Sequence, residues 1–349
     1  MPDILILDGG LGTSLEQNYH VQFTPSTPLW SSHLLISDPA TLLACQRDFG
    51  AVPIDIILTA TYQISIHGFA NTKTPDHPNG IPRASIPHLI DNAVTIAQHA
   101  AKRPSSAAAV ALSMGPYGAC MTPSQEYTGS YDAAHDSAPA LEAWHRERMQ
   151  LFSRSVADLG SRVGFLALET VPRVDEIVSM RRALGSLAGG EPISGLPFWM
   201  SCLFPGEGDV LPDGTTAEDA VAAMLDADVP GPRPWGVGIN CTKTWKLDSL
   251  LRRYESVISR LVEDGSIDSW PALVLYPDGT NGEVYNTETQ TWELPAGTER
   301  DARGSWESQV AEVVKCTRER GEWRQIIVGG CCMASHEDIR RLREILLPE

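Results

Sequence analysis

The chain has 349 residues, long for one ordinary domain but within the range of a single α/β barrel. With 42% hydrophobic and 20% charged residues it can bury a sizeable core, which excludes a disordered chain. A formal charge of -17 and the lack of any basic run exclude binding to a nucleic-acid backbone.

The opening MPDILILDGG has an acid at Asp3 and no basic stretch ahead of its short apolar run, so it reads as a first strand rather than a secretory signal. No stretch approaches the roughly 20 apolar residues of a membrane helix, and the cytoplasm is the expected compartment. Seven cysteines, an odd number, make a poor disulfide framework and are expected to stay reduced.

In chain order, short apolar runs occur at 4–9 (ILILDG), 54–61 (IDIILTAT), 107–115 (AAAVALSMG), 163–170 (VGFLALET), 198–204 (FWMSCLF), 236–242 (GVGINCT), 272–279 (ALVLYPDG) and 326–332 (IIVGGCC). Nearly continuous apolar runs suit strands covered on both faces, as in a parallel sheet. Stretches of helical period separate them, with start signals at Asp38–Pro39, at Thr216 with Asp219, and at Ser335 with Asp338. Eight alternations predict one (β/α)8 TIM barrel over residues 1–349. An open doubly wound sheet is the competing architecture, but DGGLGTSLE after the first strand is not a GxGxxG arrangement. The Pro- and Gly-rich stretches 72–83 and 204–216 read as surface excursions and candidate active-site loops.

A barrel places its active site at the C-terminal strand ends. Those ends carry Asp8 with Gly9 and Gly10, Tyr62, the segment Gly115–Gly118 with Tyr117, Glu169, Asn240 with Cys241, and Cys331 with Cys332. Cys241 ends the sixth strand and the vicinal pair ends the eighth, so the barrel brings them together across about ninety residues of sequence. Neighbours on a regular strand point to opposite faces. For Cys331 and Cys332 to reach one ion the chain must leave extended geometry, and Gly329–Gly330 is expected to supply that freedom. A helix starting near Ser335 would turn its positive end toward the sulfurs and favour thiolates. The competing reading makes cysteines small buried hydrophobes, which suits several of Cys45, Cys120, Cys202 and Cys316. Three thiolates leave a fourth tetrahedral position open, the mark of a catalytic zinc, Zn2+, and sulfur ligands suit a thiol substrate.

Asp8 and Glu169 close apolar runs, where a carboxylate is costly unless it is paired or faces a site. Both are candidates to hold a substrate ammonium, or alternatively to cap turns, or to act as the acid and nucleophile of a metal-free glycosidase. Gly9 and Gly10 would let backbone amides approach a carboxylate, while Tyr62, Tyr117 and Trp30 would line a pocket for a cation or simply pack the barrel mouth.

Taken in order, LDGGLGTSLE, LWSS, TATYQIS, GPYGA, EYTG, ALETVP, GINCT, YPDG and VGGCC resemble the homocysteine S-methyltransferase family over nearly the whole chain. The resemblance implies that Cys241, Cys331 and Cys332 bind zinc and that Asp8 and Glu169 help bind homocysteine. It also implies small-molecule partners, homocysteine and a methyl donor. TATYQ and EYTG look like the type that uses S-methylmethionine or S-adenosylmethionine. Betaine-type relatives carry a Tyr where Thr170 stands here, and no DxHxxG points to a cobalamin module. A betaine-dependent enzyme and a non-catalytic zinc-binding protein stay as alternatives.

Overall fold

The computed structural model describes residues 1–24, 27–104, 106–280, 282–286, 291–294 and 304–348. Eight strands form one parallel sheet: β1 (Ile4–Ile6), β2 (Ile56–Leu58), β3 (Ala109–Met114), β4 (Phe165–Val171), β5 (Phe198–Cys202), β6 (Gly236–Asn240), β7 (Ala272–Tyr276) and, after a hairpin, β10 (Ile326–Val328). Their order is β1-β10-β7-β6-β5-β4-β3-β2. A parallel bridge from Leu7 to Ile56, with Asp55 N–H donating to the Ile6 carbonyl at 2.7 Å, joins the outer strands and closes the ring. All eight sequence-derived strands are present, so the (β/α)8 barrel stands and the open sheet does not. The hairpin β8 (Val284–Asn286) with β9 (Thr291–Glu293) had no counterpart in the sequence reading.

Strand residues alternate between two cores. Leu7, Ile56, Ala111, Ala167, Trp199, Val274, Tyr276 and Ile327 fill the barrel interior. The other parity, such as Ile6, Ile57, Leu112, Leu168, Met200, Ile239, Leu275 and Val328, packs outward against the helices. Period-two alternation places Glu169 two residues beyond Ala167, on the inward face at the top of the barrel. Gly238 on β6 keeps that interior closed: a Cβ there would lie 2.4 Å from the Val274 carbonyl oxygen.

Helix starts follow their capping chemistry. Asp38 accepts from Thr41 N–H at 3.0 Å ahead of the helix Pro39–Ala51, and Thr216 accepts from Asp219 N–H at 3.1 Å ahead of Ala217–Leu225. Ser335 and Asp338 form a reciprocal capping box that starts His336–Leu346 just beyond the vicinal cysteines. Among the described residues no helix is long and apolar enough to cross a membrane.

Candidate active site

The three cysteines converge at one edge of the barrel mouth. β7 alone lies between β6 and β10, so the chain segments leaving those strands meet over the end of β7. Cys241 N–H donates to the Tyr276 carbonyl at 3.2 Å, Cys331 N–H to Pro277 at 2.8 Å, and Gly279 N–H to Cys332 at 2.7 Å. These bonds hold the Sγ atoms of Cys241, Cys331 and Cys332 within 4.8 Å of one another.

Two expectations about these residues are corrected. Gly329 and Gly330 do not supply unusual backbone angles: the left-handed residues around the cavity include Cys241 (φ 46°), Thr170 (φ 62°), Trp30 (φ 45°) and, just beyond the vicinal cysteines, Met333 (φ 66°). The glycines are needed for close packing, since a Cβ on Gly329 would lie 2.4 Å from the Asp8 carbonyl oxygen and one on Gly330 would lie 2.3 Å from Ala334 Cβ. Nor are all seven cysteines reduced, because Cys241 and Cys331 are joined as a disulfide and the other five are free. Convergence onto one point brings two sulfurs within bonding reach.

The sulfurs fit a metal once that bond is reduced. A tetrahedral site with metal–sulfur bonds of about 2.3 Å sets its sulfurs about 3.8 Å apart, and Cys331 and Cys332 already stand at 4.0 Å. The helix at His336 does not make the thiolate by itself. Burial, with Asp278 and Glu126 nearby, pushes the Cys332 thiol up to about 12, so a cation is what would favour the anion.

The sulfurs share a cavity with Asp8, Gly9, Gly10, Tyr62, Glu126 and Glu169; Trp30, Thr170 and Tyr276 also line it. Asp8 Oδ2 accepts from Leu58 N–H at 2.8 Å, while its Oδ1 is buried without a partner. Burial, opposed by the Leu58 bond and reinforced by Glu169, raises this carboxyl to about 8. Glu169 is hydrogen-bonded by the Ser113 hydroxyl, and burial raises it to about 7. A β-bulge between Leu168 and Val171 lifts Glu169 and Thr170 out of the regular ladder.

Gly9 and Gly10 lie in the wall, but the Gly10 amide already donates to the Ala334 carbonyl at 2.9 Å. The helix Leu11–Tyr19 begins at once, and its first turn leaves the amides of Leu11 and Gly12 without intrahelical acceptors at the cavity edge. Gly12 is required there because a Cβ would run into the Trp30 ring at 2.2 Å.

Asn240 is not on the cavity wall. It is fully buried; its Oδ1 accepts from Thr170 N–H at 2.9 Å, and its Nδ2 donates to Thr170 Oγ1 at 2.7 Å and to Cys241 Sγ at 3.2 Å. It orients the Cys241 sulfur and the strand bulge from behind the wall. Tyr117 is also placed elsewhere: its hydroxyl binds Asp132, its ring stacks on His135 at 4.2 Å, and it lines a neighbouring cavity. Tyr62 does reach the site, beside Thr170, in space that Gly115 leaves free; a Cβ there would lie 2.5 Å from the Tyr62 ring. The stretches 72–83 and 204–216 contribute nothing to the wall; beside the cysteines and the ends of β4 and β7, it is built from the segments after β1, β2 and β3.

Sequence reasoning missed Glu126, which lies in the loop after β3 and not at a strand end, although the EYTG motif contains it. It also missed Ser113, whose inward parity on β3 was the available signal.

A closed (β/α)8 barrel with three clustered cysteine sulfurs and buried carboxylates in a cavity at its C-terminal mouth has the architecture of an enzyme for small polar substrates. A homocysteine S-methyltransferase family model matches residues 5–346, and the chain belongs to that family. It is 29% identical to the homocysteine S-methyltransferase of Escherichia coli, covering 98% of this chain and 94% of that one. It is 27% identical to homocysteine S-methyltransferase YbgG of Bacillus subtilis, over 97% and 93%, and 28% identical to a betaine-homocysteine S-methyltransferase of Drosophila melanogaster, over 98% and 93%. The metallated crystal form of the homocysteine methyltransferase MmuM from E. coli superposes with a TM-score of 0.66 at 26% identity, covering 98% of this chain and 96% of that one. An oxidised form of the same enzyme superposes at 0.65 with 27% identity, over 98% and 95%. Membership of a methyltransferase family removes the glycoside-hydrolase reading of Asp8 and Glu169.

Proposed function

We infer that residues 1–349 form one barrel domain that moves a methyl group from a sulfonium donor, S-methylmethionine or S-adenosylmethionine, to the thiol of L-homocysteine, giving methionine. The observation that carries this reading is the placing of three cysteine sulfurs within 4.8 Å of one another in the same cavity as an unpaired Asp8 oxygen and Glu169. Cys241, Cys331 and Cys332 are the proposed ligands of zinc, and the cytoplasm is the proposed compartment. When bound, the ion supplies the positive charge that lets the substrate thiol react as its anion at neutral pH.

The chain's own residues hold the acceptor around that sulfur. Asp8 Oδ1 and Glu169 receive the homocysteine ammonium, and the charge of the ammonium returns both carboxyls to their ionised form. The first-turn amides of Leu11 and Gly12 receive its carboxylate. Asn240 fixes the direction of the Cys241 sulfur through its amide. Tyr62 and Trp30 close the wall and exclude water.

The reaction needs little else. The homocysteine sulfur forms a bond to the methyl carbon as the donor's carbon–sulfur bond breaks. The bonding pair stays on the departing sulfur, which leaves as a neutral thioether, and the thiol proton goes to solvent. A sulfonium is already a good leaving group, so positioning and desolvation carry the catalysis without a general acid.

Thr170, bonded to Asn240 and beside Tyr62, stands where betaine-type relatives carry a tyrosine, which supports a sulfonium donor. The test is to measure zinc content and then methionine formation from homocysteine with S-methylmethionine, S-adenosylmethionine and betaine offered in parallel. Turnover with the sulfonium donors is expected. Turnover with betaine alone would reassign the donor, and metal binding with no turnover on any donor would sink the catalytic reading.

A further inference from the structure

Of the three carboxylates that line the cavity, Glu126 is the one that the acceptor contacts proposed above leave unused. It is 5% exposed, and its Oε2 is buried with no hydrogen-bond partner. Ser124 and the residue's own amide steady the carboxylate. The loop that carries it is firmly held: Gln125 N–H donates to the Gly118 carbonyl at 2.8 Å, and Gly129 N–H to the Gln125 carbonyl at 2.8 Å. Gly118 has no room for a side chain, since a Cβ would lie 2.9 Å from Gln125 C and 3.0 Å from Glu126 N. Glu126 therefore enters the cavity by construction, and its charge is felt at Tyr62 and at Cys332.

Among the described residues lining this cavity there are three carboxylates, Asp8, Glu126 and Glu169, and no Lys, Arg or His. A buried acceptor without a donor is costly, so the missing partner is expected to arrive with a ligand. Homocysteine brings one ammonium, which Asp8 and Glu169 serve. The second substrate must then satisfy Glu126. A sulfonium centre and a quaternary ammonium are both cationic, but both present only C–H groups; an α-ammonium presents N–H donors that a buried carboxylate oxygen accepts.

Resting on the sulfonium-donor reading above, we propose that Glu126 receives the α-ammonium group of the methyl donor, so that the site selects an amino-acid sulfonium over a donor lacking N–H. Asp8 and Glu169 then serve the acceptor and Glu126 the donor, one on each side of the transferred methyl group. Glu126 acts as a specificity residue and takes no part in bond breaking.

The test uses zinc-loaded wild-type enzyme and Glu126→Gln, with S-methylmethionine and its des-amino analogue, (3-carboxypropyl)dimethylsulfonium, as donors. Wild type is expected to prefer S-methylmethionine by about tenfold or more in kcat/KM, the usual factor for a lost hydrogen bond to a charged group. In Glu126→Gln that preference collapses toward one, while the homocysteine KM stays within about twofold and zinc content is unchanged. A wild-type enzyme that treats the two donors alike overturns the proposal, and this holds even if the variant fails to fold. Equal losses on both donors, with the ratio kept, would show a merely structural role, and a raised homocysteine KM would move Glu126 to the acceptor. Turnover with betaine alone overturns the donor reading together with this proposal, whereas sulfonium turnover without an amino preference overturns this proposal only.

Discussion

Two neighbouring cavities open at the barrel mouth, and both hold buried acidic groups in or against their walls. In the wall of the one that contains Tyr117, and in the packing directly behind it, polar groups answer one another. His145 Nε2 and Tyr117 N–H meet Glu176 Oε1 at 2.8 and 2.6 Å, the Tyr131 hydroxyl takes the other oxygen, and Tyr117 binds Asp132. The fully buried Arg148 donates to the carbonyls of Ile64, Gly115 and Tyr62 at 2.7, 2.5 and 2.6 Å. In the cavity with the cysteines, Asp8 Oδ1 and Glu126 Oε2 are buried and unanswered. Burial of charge alone does not mark a site; a buried carboxylate oxygen without a partner that also faces a cavity is the stronger sign, because a ligand can supply the missing donor.

Arg148→Met would break the satisfied side most heavily. It strips donors from three buried carbonyls and should lower stability by about 3 kcal/mol, read as a shift in the urea midpoint. A variant as stable as wild type would mean that the network is not structural.

Asp8→Asn should do the opposite. The homocysteine KM should rise by roughly thirtyfold through the weakened ammonium contact, while the urea midpoint stays level or rises, since an unpaired buried carboxylate is removed. Lost stability with an unchanged KM would place Asp8 among the structural carboxylates.

A pH series sharpens the contrast further. Burial raises Glu126 and Glu169 to about 7, so the metal-free native chain holds these protons more tightly than the unfolded chain does. Their stabilising contribution is full below about pH 4.5 and is lost as pH rises through 7. Glu126→Gln should flatten the fall in unfolding free energy between pH 5 and pH 8 by on the order of 1 kcal/mol. An unchanged slope would mean that the oxygen already has a partner.

Tyr117→Phe is expected to have the smallest effect, less than about 1 kcal/mol in the urea midpoint and less than about twofold in kcat/KM. A tenfold kinetic loss would return Tyr117 to the active site.

Much of this was legible in the chain. The eight apolar runs gave the barrel because period and length survive any loop, and Asp38, Thr216 and Ser335 cap helices because capping is local chemistry. Convergence of Cys241 with Cys331 and Cys332 followed once the strands were ordered. What escaped depends on distant contacts. Tyr117 turns away from the site because Asp132 and His135 draw it, Asn240 hides behind Thr170 at a strand bulge, and Glu126 reaches the cavity through a loop packed on Gly118. No local pattern encodes those directions.

The cysteine cluster bears the central claim, and zinc titration of wild type and Cys241→Ala, both first reduced and each assayed for homocysteine-dependent methyl transfer, tests it most directly. Wild type should bind about one zinc per chain, lose turnover when the metal is chelated and regain it on repletion. Cys241→Ala should bind none and turn over none while unfolding at a similar urea concentration. Full turnover by Cys241→Ala, or by wild type stripped of metal, would contradict the account.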